Sequence, residues 1–101
     1  MIVLHAAFPI DPAERERALD LVAGLVEHSQ AEDGIVEYHA TTDLAEENTV
    51  RFFERYEDEA AFEAHTETDH FAEFEAALPE LLAGEPEVYR FEVDSVSEPE
   101  L

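Results

Sequence analysis

Residues 49–74 read TVRFFERYEDEAAFEAHTETDHFAEF. The first part alternates. Val50, Phe52, Glu54 and Tyr56 fall on one side and Arg51, Phe53 and Arg55 on the other, which is the two-residue period of a β-strand. At Asp58 the period changes. Asp58 is placed to cap a short helix through Thr66. Thr68 or Asp69 is placed to cap a second, with Phe71, Phe74, Leu78 and Leu81 or Leu82 at helical spacing. Pro79 interrupts that pattern, so PELLA (79–83) reads as a separate turn, and Gly84 stops the helices.

Working outward, residues 2–8 (IVLHAAF) read as a buried strand. Asp11 as N-cap, Pro12 at the first helical position and Glu14 two residues later mark a strong helix start. That helix runs to about Glu32 with an apolar stripe of Ala18, Leu21, Val22, Leu25, Val26 and Ser29. Gly34 ends it. A second strand, IVEYHATT (35–42), follows, with Val36, Tyr38 and Ala40 alternating with Glu37 and His39. The polar loop DLAEEN (43–48) leads into the opening strand. On the far side, EVYRFEVD (87–94) reads as a fourth strand and SVSEPEL (95–101) as a frayed tail.

The order β-α-β-β-α-(α)-β predicts an α+β fold of the ferredoxin-like split βαβ type, as one domain over residues 2–94. Helices cover only one face of such a sheet. The other face, rich in Phe, Tyr and Val, needs a cover, and a second copy of the same sheet supplies one, so a twofold homodimer is expected.

Charge narrows the function. The chain has 27 Asp and Glu, five Arg and no Lys, for a net charge of −22. The acids are spread over every segment, which reads as the surface of a protein from a salt-loaded cytoplasm. Molar salt shortens the Debye length to about 3 Å and screens self-repulsion. A phosphate backbone needs Lys/Arg stripes, so nucleic acid is not an expected partner. There are no cysteines, hence no disulfides and no thiolate chemistry. No apolar run approaches the ~18 residues of a membrane span, and the N-terminus lacks a signal-peptide pattern. These point to a cytoplasmic location with no membrane partner. The three glycines are far apart, so no phosphate-cradling loop is visible.

His65 and His70 are five residues apart. On one continuous helix that is about 140° of rotation, so they are not expected to share an ion, and no metal site is read. His70, preceding the apolar stripe, is expected to be exposed. His65 lies three residues after Phe62 on a face expected to point to the sheet. Phe62, Phe71 and Phe74 are expected to be buried beside it. Glu54 shares a strand face with Phe52 and Tyr56. If covered it needs a partner, for which Arg90 or His39 is the candidate. Arg51, Arg55 and Arg90 are expected in ion pairs.

The element order, with GIVEYHATTD (34–43) and the strand-helix-histidine segment above, resembles the antibiotic biosynthesis monooxygenase domain, in its quinol-monooxygenase-like branch. The most specific part is Glu54, Tyr56, Glu57, Asp58, His65, Thr68, His70 and Phe71. The resemblance implies a dimeric α+β barrel that oxidises a phenolic or quinol-type molecule with O2, without metal, flavin or haem. A haem-degrading branch carries a tryptophan where this chain has His65, a histidine ten residues later where it has Glu75, and an asparagine on the first strand, where it has none.

A pocket near His65 then gives that residue a role. A partly buried imidazole favours its neutral form, which suits a general base. His65 and Glu54 are the catalytic candidates. His39, Phe52, Tyr56, Phe62, Phe71 and Phe74 are the candidate substrate contacts. The other class of function with this fold is a dimeric ligand-binding or stress-related barrel without turnover.

Overall fold

The computed structural model describes residues 1–101. Strand β1 (Ile2–Pro9) is followed by a 3-10 turn (Pro12–Glu14) and helix α1 (Arg15–Gln30). Strands β2 (Ile35–Thr42) and β3 (Thr49–Tyr56) come next, then helices α2 (Glu59–Thr66) and α3 (Asp69–Leu81) and strand β4 (Glu87–Glu92). The four strands form one antiparallel sheet in the order β2-β3-β1-β4. This is the expected ferredoxin-like α+β arrangement.

Local chemistry sets the helix starts. The Asp11 carboxylate accepts from the Ala13 N–H at 3.0 Å, but it closes the 3-10 turn, and α1 proper begins at Arg15. α1 ends at Gln30 rather than at about Glu32, so Glu32 lies in the turn beyond it. Gly34 makes that turn with φ of 86°, and a Cβ there would meet the Ala61 Cβ at 2.7 Å. Any other residue is therefore both strained and obstructed. Asp58 caps α2 through the Ala61 N–H, and Thr68 caps α3 through the Phe71 N–H.

Pro79 does not separate PELLA as a turn. It lies inside α3, which continues to Leu81. A proline there removes only its own N–H from the Glu75 carbonyl, in an exposed part of the last turns, while Leu81 is buried in the core. Anchoring that leucine outweighs one missing hydrogen bond. β4 is shorter than expected and stops at Glu92.

The helices cover one sheet face. Phe52 makes edge-to-face contacts with Phe8, Tyr38 and Phe74 at 5.4, 6.0 and 5.7 Å between ring centroids. Ala18, Val22 and Leu25 of α1 close the same core. On the opposite face, Phe53, His5 and Tyr89 stand in one row across β3, β1 and β4, with Val3 and Phe91 beside them. Phe53, Tyr89 and Phe91 are each at least two-fifths exposed. Arg51 pairs with Asp43 at 2.8 Å, Arg55 with Glu37 at 2.7 Å, and Arg90 with Glu59, as the shortage of cations suggested.

Candidate active site

A cavity of about 280 Å³ lies between the covered sheet face and helices α2 and α3. Its floor is Leu4, Tyr38, Phe52 and Glu54 from the strands, and its roof is Phe62, His65, Phe71 and Phe74 from the helices. Apolar and aromatic side chains dominate, with few polar groups aimed inward. That is the composition of a small-molecule site.

His65 is 1% exposed. Its ring packs against Tyr38, Phe71 and Tyr56 at 5.2, 5.2 and 5.6 Å between centroids. Nδ1 lies 2.7 Å from Oε2 of Glu32. A carboxylate only accepts, so Nδ1 carries the proton and Nε2 presents its lone pair. Nε2 is buried and has no hydrogen-bond partner. Burial lowers the His65 pKa below its ordinary value, partly offset by the Glu32 carboxylate. The site therefore holds a neutral imidazole, oriented from behind, with an acceptor nitrogen inside the cavity wall.

His70 departs from expectation. Its side chain is 19% exposed, and its Nε2 donates to the same Glu32 oxygen at 2.7 Å. The expected 140° separation assumed one continuous helix. The chain breaks between α2 and α3 at Glu67 and Thr68, and the break brings both ring nitrogens to one carboxylate. His28 stacks on His70 from the solvent side, with centroids 5.5 Å apart.

Glu54 is 6% exposed, and neither expected partner reaches it. Arg90 turns to Glu59 and Glu92. His39 points to the open sheet face, 3.3 Å from Glu37, and does not line the cavity, contrary to its expected place among the substrate contacts. The partner is Tyr56, fully buried, whose hydroxyl donates to Glu54 Oε1 at 2.5 Å. Burial pushes the Glu54 carboxyl up to about 7, the Tyr56 hydrogen bond opposing the rise. Tyr56 thus supports Glu54 and is absent from the cavity lining. Phe74 is buried as expected, whereas Phe62 and Phe71 are only partly so, being at the cavity roof.

Glu32 and Tyr38 were not among the sequence candidates. Tyr38 had a signal, since it alternates inward on β2 opposite Glu54. Glu32 had none, because its partners lie 33 and 38 residues away.

A four-stranded antiparallel sheet with helices on one face and a cavity between them defines a ferredoxin-like α+β protein. The family model for antibiotic biosynthesis monooxygenase matches residues 1–77, and the chain belongs to that family. It is 42% identical over 93 residues to "Putative monooxygenase YcnE" of Bacillus subtilis, covering 92% of this chain and 98% of that protein. The fold is similar to that of Rv0793 from Mycobacterium tuberculosis, with a TM-score of 0.87 and 25% identity over 95% and 98% of the two chains. A crystal structure described as an antibiotic biosynthesis monooxygenase also superposes with a TM-score of 0.87. It is 23% identical and covers 94% of this chain and 100% of its own. No helix is long and apolar enough to cross a membrane.

Proposed function

We propose that the protein is a cofactor-independent monooxygenase that oxidises a phenolic or quinol-type molecule with O2. The observation that carries this reading is the bare, buried Nε2 of His65, held in its acceptor tautomer by Glu32. A ring hydroxyl seated in the cavity gives its proton to Nε2, and Glu32 stabilises the imidazolium that forms. The resulting phenolate passes one electron to O2. The ring radical and superoxide then join at a ring carbon as a peroxide, which takes the proton back from His65 and loses water to leave a quinone. One phenol and one O2 give one quinone and one water, so the ring supplies all the electrons and no outside reductant is needed. Near pH 7 a neutral His65 and a partly protonated Glu54 favour an uncharged ring over an anion. Glu54 lines the same cavity, and when protonated it would donate to a second ring oxygen.

The test is oxygen uptake with a panel of phenols and quinols in molar salt, beside His65→Ala. Consumption of O2 by the parent and its loss in the variant are expected. Tight binding of the same rings with no uptake in either protein would replace the enzyme with a ligand-binding barrel.

Two further expectations concern assembly. Proteins of this family form dimeric α+β barrels, and the open sheet face with its exposed Phe53, Tyr89 and Phe91 would take the second sheet. Light scattering in molar salt is expected to give twice the 11.4 kDa of the chain. A clean monomer would remove the barrel. With −22 on each protomer, lowering the salt lengthens the range of repulsion between them. The unfolding midpoint and the dimer are therefore both expected to weaken from molar to millimolar potassium chloride. An unchanged midpoint would speak against a surface adapted to salt and for the other use of so acidic a surface, binding a basic partner.

A further inference from the structure

We propose that Glu32, His65 and His70 form a site for one divalent transition-metal ion of the zinc type, and that its occupancy switches off the base facing the cavity. The site stands on geometry alone, whereas the switch rests on the monooxygenase reading. One ligand atom from each residue lies within 4.8 Å of the others. The three come from separate elements: the turn after α1, the last turn of α2 and the first turn of α3. Two imidazole nitrogens and a carboxylate oxygen are a donor set suited to zinc, cobalt or nickel rather than magnesium or calcium.

The cluster can open to admit an ion. Metal–ligand bonds of about 2.0–2.2 Å need donors somewhat farther apart than hydrogen-bonded ones. Glu32 Oε2 now stands 2.7 Å from each nitrogen and must draw back. It is free to do so, because Glu32 is in a turn beyond the helix and its side chain reaches solvent. His65 is fixed by the rings around it. His70, 19% exposed, is the side of the cluster nearest solvent, from which the ion would enter and water would take the fourth position.

Ligation changes the tautomer of His65. The ion takes Nδ1, which must give up its proton. A neutral imidazole then keeps its single proton on Nε2. That nitrogen has no partner holding it as an acceptor, and the Glu32 contact that keeps the proton on Nδ1 is given up when the carboxylate turns to the ion. The Nε2 lone pair, the one proposed to take the proton of a ring hydroxyl, becomes an N–H and can no longer do so.

The experiment titrates the intact protein with zinc chloride, and with cobalt chloride for spectroscopy, in molar potassium chloride to suppress loose binding to surface carboxylates. One saturable site per chain is expected, with visible cobalt bands of four-coordinate ligation. Glu32→Gln and His70→Asn are each expected to weaken binding by roughly tenfold or more, since even a residue behind a ligand costs that much. His28→Asn, which removes the stacking partner and a hydrogen bond to the Gly24 carbonyl but no ligand of the site, should leave binding unchanged. Nitrogen-15 NMR should show the His65 proton move from Nδ1 to Nε2 as zinc is added. In oxygen uptake, zinc should inhibit the parent and spare His70→Asn. Absence of a saturable site, or equal affinity in parent, Glu32→Gln and His70→Asn, would overturn the site. Zinc binding that leaves the proton on Nδ1, or that raises the rate, would overturn the switch. Binding and NMR need no turnover, so failure of the site and failure of the monooxygenase reading are told apart.

Discussion

Replacing His65 by alanine or glutamine should lower turnover by roughly 10²–10⁴-fold, the usual worth of a positioned general base. The expectation follows from where the nitrogen lone pair lies. His65 is the histidine in the cavity lining, and its Nε2 is buried without a partner. Glutamine is the more informative change because it keeps much of the volume against Tyr38 and Phe71 while offering no basic nitrogen. His70→Ala should cost much less, because His70 reaches the cavity only through Glu32. Glu32→Gln separates orientation from basicity. Its amide can present an oxygen to Nδ1, yet it supplies no charge to an imidazolium. Its rate should fall between those of the two histidine variants. Rates are read under one salt concentration, with circular dichroism to confirm folding. Equal rates in parent, His65→Ala and His70→Ala would remove His65 as the base.

The strands and caps were legible because they depend on near neighbours. Val50, Phe52, Glu54 and Tyr56 alternate with Arg51, Phe53 and Arg55, and β3 buries and exposes them in that order, with the arginines intermediate. Asp58 and Thr68 cap the helices that their positions announced. The inward turn of His65 followed from its spacing to Phe62. What failed depended on partners distant in sequence, or on the phase between two helices. His70 was misplaced because a two-residue break resets helical phase, and the amount is set by packing. Glu54 was given a distant cation when its partner was two residues along the same strand. Side chains at i and i+2 share a face, and a tyrosine hydroxyl is long enough to return to its neighbour. Pro79 was read locally as a stop, although Leu81 has a core position to fill. The family resemblance carried the pocket. The Glu32–His65–His70 arrangement came from the fold alone.

Glu54 should make the folded chain less stable as pH rises, and Glu54→Gln should remove that loss. The carboxyl is raised from an ordinary 4.5 to about 7 in the folded protein. Below about 4.5 it is protonated in both states and folding takes no proton. Between those values the folded chain keeps a proton that the unfolded chain releases, so stability declines with pH. Above about 7 the folded chain must hold a buried carboxylate, and the full difference, on the order of 3 kcal/mol, has been lost. Glutamine keeps the shape and an oxygen to accept from Tyr56, but it does not ionise. Parent and variant should unfold together near pH 4. By pH 9 the variant should be more stable by about 3 kcal/mol, an increase in melting temperature on the order of 10 °C for a domain of this size. The comparison is made at fixed protein concentration in molar salt, so the titration of surface carboxylates is common to both proteins and cancels. Tyr56→Phe gives an independent check. The Tyr56 hydroxyl favours the ionised carboxyl, so its removal should move the decline to higher pH. A gap between parent and Glu54→Gln that is the same at pH 4 and pH 9 would mean that Glu54 is ionised throughout. It would then be unable to donate to a ring oxygen, and the cavity would carry a negative charge that an anionic phenolate must avoid.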